Sequence, residues 1–247
     1  MVDCKPVTTP LATGTKLTPC KNHVSEAFPY RELIGALMYL SVGTRPDITH
    51  AVSYLSQFNL CYGKDHWAAA KRVLRYLKGT SKLKLTYSRS EEGLVGFADA
   101  DWGSDITDRR SYSGYMFSLS NSAVSWCSKK QKSVALSSTE AEYMSLSDAA
   151  KEAIFLSNLL KELGFDDLAR MTVYNDNQSA AKLASNPVFH ARSKHIDIRA
   201  HFIREVLKDG KFDLKYLSTD EMTADILTKA LPKAKVDYCV KGLELLY

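Results

Sequence analysis

No stretch of this chain approaches the roughly 18 consecutive apolar residues of a membrane-spanning helix, and its first residues lack the apolar core of a secretion signal. Its five cysteines, Cys4, Cys20, Cys61, Cys127 and Cys239, are scattered, with no Cys-x-x-Cys pair. That argues against a zinc site or a disulfide framework and for a reducing compartment. Neither an internal repeat nor a low-complexity tract is present, which sets aside repeat architectures. What is present is ordinary for a globular chain: 247 residues, 45% hydrophobic and 25% charged. That length makes one large domain or two modest ones.

The net charge of +5 is unevenly placed. Residues 1–88 hold 12 Lys and Arg against 5 Asp and Glu, hence +7; residues 89–247 hold 21 against 23, hence −2. A basic first part joined to an acid-bearing second part suits a polyanion held by one and worked on by the other. The plainer reading is solubility.

Taken in order, residues 1–29 carry Pro6, Pro10 and Pro19 with many Thr and Lys and read as an extended, exposed lead-in. MVDCKPVTTPL reads as the middle of a longer chain. Three helices follow: 30–42, a second in which Pro46 is the first helical residue, and HWAAAKRVLRYLK, capped by Asp65 and ended by Gly79. In the last, Lys71, Arg75 and Lys78 share a face that would contact phosphate or simply be solvated. From 83 the period becomes that of strands: 83–88, 93–99, 111–120 and 123–129, with a turn at Asn121-Ser122. A long helix runs from 137 to 163. It is followed by a strand at 171–176, helices at 178–185 and 196–208, a strand at 211–218 and a helix at 220–230 before Pro232. A meander followed by crossover units makes an α/β fold, a mixed five-stranded sheet with helices on its faces.

Four acids stand out. In LVGFADADW, Asp99 ends an apolar strand, where a carboxylate either starts a turn or holds a metal. The long helix opens with Ser137-Ser138-Thr139-Glu140, in which Ser137 and Glu140 form a capping box. Glu142 lies on the stripe of Leu146, Ala149 and Ala153 that faces the sheet, whereas Glu140 lies on a wetter face with Met144, Ser147 and Lys151. Asp176 ends a strand, and since Asn177 can cap the next helix, Asp176 is free for another use. Asp225 sits in a helix interior that its type does not favour. Singly each has a bland reading as a cap or surface acid. Together, converging at one sheet edge, they would repel unless divalent cations sat among them. Oxygen ligands select Mg²⁺ or Mn²⁺, and two such ions about 4 Å apart hydrolyse phosphodiesters.

The phrases YRELIGALMYL, TRPDITHAVSYLSQF and HWAAAKRVLRYLKGT resemble the segment after the polymerase palm of copia-type retrotransposon polyproteins. FADADW, SWCSKKQKSVALSSTEAEY, VYNDNQSAAKLASNP, HARSKHIDIRAHFIRE and TADILTKAL resemble the ribonuclease H part. The resemblance implies a ribonuclease H-like fold over 91–232, a helical thumb- or connection-like segment of a reverse transcriptase over 30–90, and a tail at 233–247. It places the metal-binding catalytic acids on Asp99, Glu142, Asp176 and Asp225, serving two Mg²⁺ ions with Mn²⁺ able to substitute. It implies a Mg²⁺-dependent endonuclease acting on the RNA strand of RNA/DNA hybrids. The remainder of the polyprotein, palm and fingers, would be a partner, with no membrane involved. The location would be cytoplasmic, in a virus-like particle if the element is active, with the nucleus as the alternative to it. Hybrid-contacting candidates are Arg109, Arg110, Lys129, Lys130, Lys132, Ser138, Thr139, Arg192, Lys194 and His195, with Lys71 and Arg75 from the helical part. Trp102 and Trp126 read as core.

The loop 218–222 has no histidine where many cellular ribonucleases H have one. No polymerase active site is present. Phe165-Asp166-Asp167 follows a helix end and reads as a surface loop, so the chain would be a polyprotein fragment or a truncated copy that cannot polymerise DNA alone. Two other readings stand beside the enzyme: a silent or co-opted nucleic-acid-binding remnant, and a DNA-strand-transfer enzyme of related fold. The latter places its Glu on a late helix, whereas here Glu142 comes second.

Overall fold

Strand β2 (Leu94–Ala100) lies at the centre of a five-stranded sheet because both of its faces are apolar. The computed structural model describes residues 3–20, 28–90, 92–169, 171–185 and 197–247. β2 pairs antiparallel with β3 (Tyr112–Leu119), which pairs antiparallel with β4 (Ser122–Lys130). On its other side β2 pairs parallel with β5 (Met171–Asn175), which pairs parallel with β6 (Asp213–Tyr216). The strand order β4-β3-β2-β5-β6 is the mixed sheet the residue pattern predicts. The β3–β4 turn is tight, with Ser120 and Asn121 both at positive φ, the twist a two-residue hairpin needs.

Helices α4 (Ser138–Glu162), α5 (Gln178–Ser185) and α6 (Asp197–Lys208) cover one face, burying Leu146, Ala149 and Ala153 against Ala98, Phe117 and Val173. The other face is covered by α1 (Tyr30–Gly43), α2 (Thr49–Ser56) and α3 (Lys64–Gly79). Their Ile34, Leu37, Val52, Leu55 and Val73 share one apolar cluster with Met116 and Ala123 of the sheet. The helical segment and the sheet therefore have a common core. A buried fork ties the helices together. Arg45 donates to both carboxylate oxygens of Asp47 at 2.9 and 2.7 Å, and to Thr80. The Tyr76 hydroxyl donates to Asp47 at 2.7 Å.

Several elements differ from expectation. The lead-in is mostly exposed, as expected, except at its middle, where Thr9, Pro10 and Leu11 are buried. The reason is the basic face of α3, where Arg75 Nε donates to the Lys5 carbonyl at 2.7 Å, Lys78 Nζ to that of Cys4 at 2.9 Å and Arg72 to the Thr9 hydroxyl. α3 starts at Gly63, whose N–H is capped by His66 Nδ1 at 3.0 Å, not by Asp65. Pro46 opens a 3₁₀ turn, Pro46–Ile48, ahead of α2. The strand expected at 83–88 shrinks to β1 (Lys84–Leu85), which pairs outside the main sheet with β7 (Leu245–Leu246). The helix expected at 220–230 is instead two 3₁₀ turns, Thr219–Glu221 and Thr223–Leu227, broken by extended Met222. Within the tail at 233–247, α7 (Lys233–Gly242) starts after Pro232 and buries Val236 and Cys239 in the first cluster.

His50 of α2 is buried against the edge of Tyr112, with ring centroids 4.9 Å apart and no hydrogen-bond partner for Nδ1 among the described residues. Burial first, then the Lys229 charge, push its pKa down from 6.5 to about 3. The unfolded chain takes up a proton below pH 6.5 that the folded chain refuses. Stability is thus full above that pH and falls as pH drops, by about 2 kcal/mol at pH 5. In urea unfolding at pH 7 and 5, His50→Gln should narrow the difference by that amount; an unchanged difference would show that His50 is not the responsible group.

Candidate active site

The site is built at the ends of β2 and β5. Asp99 faces Gly114 across the antiparallel register. That glycine is required by packing: a Cβ there would lie 2.7 Å from Thr228 and 2.8 Å from Leu227. The turn carrying Asp225 and Thr228 therefore sits directly on the β3 backbone, and the Thr228 hydroxyl donates to Asp99 Oδ2. From the opposite face, Ser145 of α4 donates to the Asp99 carbonyl at 2.7 Å. It can also reach the Gly114 carbonyl, at 3.2 Å. Ser145 lies three residues after Glu142, so the same clip turns Glu142 towards Asp99. Asn175, paired with Ala98 at the end of β5, donates to the Ala98 carbonyl at 3.1 Å and to Glu142 Oε2 at 3.0 Å. Asp176 follows it and accepts from the Thr219 hydroxyl at 2.7 Å.

One carboxylate oxygen each of Asp99, Glu142 and Asp176 lie within 4.8 Å of one another. Asp99 and Glu142 are buried and Asp176 is half-buried. Burial pushes Asp99 up to about 6; Lys229 and the Thr228 hydroxyl oppose the rise, while Asp225 and Asp176 add to it. Burial, then Asp99 and Asp176, raise Glu142 well above the carboxylate range, with Asn175 opposing. Burial pushes Asp101, two residues on, up to about 7, opposed by the Tyr112 N–H that donates to it. Three carboxylates crowded together are the donor set of a hard divalent cation.

The fourth acid does not join this group directly. Asp225, 2% exposed, is ion-paired to Lys229 at 2.7 Å and to Lys235 at 3.2 Å, and Lys229 Nζ lies 3.5 Å from Asp99. Burial disfavours the Lys229 charge, yet Asp99 and Asp225 hold its ammonium above the ordinary lysine range. Glu140 is buried too, contrary to the wet face expected, because its carboxylate caps the Leu136 N–H at 2.8 Å. Ser137 is the N-cap.

Of the other hybrid-contacting candidates, Arg109, Lys129, Lys132 and Ser138 are exposed and Arg110 and Thr139 half-buried. Lys130 is engaged elsewhere, bound to Asp105 at 2.6 Å, Asp108 at 2.9 Å and Gln57 at 2.9 Å, which pins the loop after β2. Lys71 lies over the Trp67 ring and Arg75 is on the lead-in. Arg192, Lys194 and His195 lie outside the described residues. Trp102 is not core: it is 57% exposed, turned out by the bend after Asp101, with its indole N–H on the Ala135 carbonyl at 3.2 Å. Trp126 is half-buried and packs between the sheet and α1 through Ser41. Ser145, Asn175, Thr228 and Lys229 were missed from sequence; the one readable signal was the Asp225–Lys229 spacing of four.

No protein-family model matches the chain. Over 246 residues, 97% of its length, it is 46% identical to the retrovirus-related Pol polyprotein from transposon TNT 1-94 of Nicotiana tabacum. Over 94% of its length it is 42% identical to that from transposon RE2 of Arabidopsis thaliana. The chain is similar to one segment of these retrotransposon Pol polyproteins. The chain spans 18% and 16% of the length of those two relatives. Across 52% of its length it is also 54% identical to secreted RxLR effector protein 161 of Plasmopara viticola, covering 92% of that protein. The solved structure of LC11-RNase H1 aligns with 60% of this chain and 99% of its own at a TM-score of 0.44 and 11% identity. The fold assignment rests on the strand order rather than on that loose likeness.

Proposed function

We propose that this chain is a ribonuclease H, hydrolysing the RNA strand of an RNA/DNA hybrid with Mg²⁺. The observation that carries the reading is the convergence of Asp99, Glu142 and Asp176 at the end of the central strands. It occurs in a chain similar to retrovirus-related Pol polyproteins. Carboxylates alone form the donor set, which fits Mg²⁺ or Mn²⁺ and not a softer metal. Bound there, the cation would activate water and neutralise charge on the phosphate. The protein's part is positional. Asn175 fixes the Glu142 carboxylate, Ser145 fixes the helix that carries it, and Thr228 fixes that of Asp99. Burial by the surrounding apolar groups keeps the field of the acids strong.

Substrate would lie along the rim, its phosphates met by Arg109, Arg110, Lys129 and Lys132 and by Ser138 and Thr139 at the N-terminus of α4. The remainder of a Pol polyprotein is the proposed partner and the cytoplasm the proposed location. The test is cleavage of a labelled RNA strand in an RNA/DNA hybrid, with Mg²⁺ and with EDTA. Cutting of the RNA strand alone, abolished by EDTA, is expected. A well-folded protein that binds the hybrid without cutting it would replace this reading with that of a nucleic-acid-binding remnant.

A further inference from the structure

The carboxylates of the site fall into two electrostatic halves. Asp99, Glu142 and Asp176 bring three oxygens together, and Glu142 and Asp176 have no ion pair among the described residues. Between Asp99 and Asp225 a cation is already in place: Lys229 Nζ, 2.7 Å from Asp225 Oδ1 and 3.5 Å from Asp99 Oδ2. Lys235 takes the other Asp225 oxygen at 3.2 Å. A divalent ion bridging these two acids would bind their oxygens at about 2.1 Å. It would then share its position with an ammonium, and two cations so close exclude each other.

We infer that Lys229 is an internal counter-ion that closes the Asp99–Asp225 half of the site until a second divalent cation displaces it, so that ions enter one after the other. This rests on the reading of the site as a metal centre. The geometry permits the displacement. The Lys229 side chain is 36% exposed, so its flexible four-carbon stem has a way out to solvent. Asp225 is one helical turn away, so the pair forms again when the ion leaves. Lys229 is a positioning residue in this account, acting through its two carboxylates.

Calorimetric titration of the substrate-free chain with Mn²⁺ tests this without relying on turnover. Wild type should bind one ion and then a second at least about tenfold more weakly. Lys229→Met should strengthen the second by roughly tenfold, the removal of about 1.4 kcal/mol of repulsion, with little change in the first. Lys229→Arg should keep the second ion weak. Lysine acetylation read by mass spectrometry gives a measurement in wild type, should the Met variant not fold. Labelling of Lys229 should be slow in EDTA and rise at the Mn²⁺ concentration of the second binding. An unchanged second affinity in Lys229→Met, or flat Lys229 labelling across the titration, overturns the inference alone, provided one ion still binds and is lost in Asp99→Asn. Absence of any Mn²⁺ binding by wild type overturns the metal-centre reading and the inference with it.

Discussion

Asp99→Asn should lower Mg²⁺-dependent RNA cleavage by about a thousandfold or more while leaving a folded, cooperative protein. Asp99 is 1% exposed and is the residue shared by both halves of the site, among Glu142 and Asp176 on one side and beside Lys229 on the other. Losing its charge removes a ligand at the point where several kcal/mol of transition-state stabilisation are concentrated, and each 1.36 kcal/mol is tenfold in rate. Asparagine keeps the shape and can still accept from Thr228, and the charge it removes is one that burial already opposes. The melting temperature in EDTA should therefore stay within a few degrees of wild type. Retained cleavage by the purified variant would remove Asp99 from the site. Loss of the folded transition together with activity would make the residue structural instead.

A fragment beginning at residue 91 should fail to fold as a soluble, cooperative unit. Sequence division at 90 separates residues that share one core. Met116, Ala123, Ile226 and Leu227 would lose Ile34, Leu37, Val52, Leu55, Val73 and Tyr76. Each such buried side chain contributes about 1.5–3 kcal/mol, and six of them together match the roughly 5–15 kcal/mol of an entire domain. The exposed sheet face would also template association. Gel filtration and thermal circular dichroism of the fragment decide it. A monomer with a sharp transition would show that the sheet and α4–α6 suffice.

The sheet and the inward face of Glu142 were legible because both are written locally. Strand periodicity and the turn at Asn121 give the meander. The stripe of Leu146, Ala149 and Ala153 aims Glu142 at the sheet, and all three are buried there. The companion inference that Glu140 faces water failed because the segment 131–137 folds back over the helix start, a tertiary fact that no helical period contains. α7 was unreadable for a related reason. It is short and rich in Lys, and Pro232 serves equally as a stop or as the residue before a helix. The basic face of α3 suggested phosphate, yet its nearest acceptors are carbonyls of the chain's own lead-in. The strands that lead to Asp99 and Asp176 and the helix that carries Glu142 could be read, but not the turn that carries Asp225, nor Asn175, Ser145 and Thr228, whose roles arise only when distant segments meet.

The β1–β7 ribbon has a consequence for biogenesis. Lys84 and Leu85 pair with Leu246 and Leu245, and the cluster that begins with α1 is completed by Val236, Cys239, Leu243 and Leu245. Contacts so far apart in sequence form late and slow a chain's folding. Until β7 has been made, the apolar cluster that α1–α3 begin lacks Val236, Cys239, Leu243 and Leu245. A stop codon before Lys233 thus leaves α1–α3 without residues that close over them, so that a truncation beyond the sheet unsettles helices that precede it.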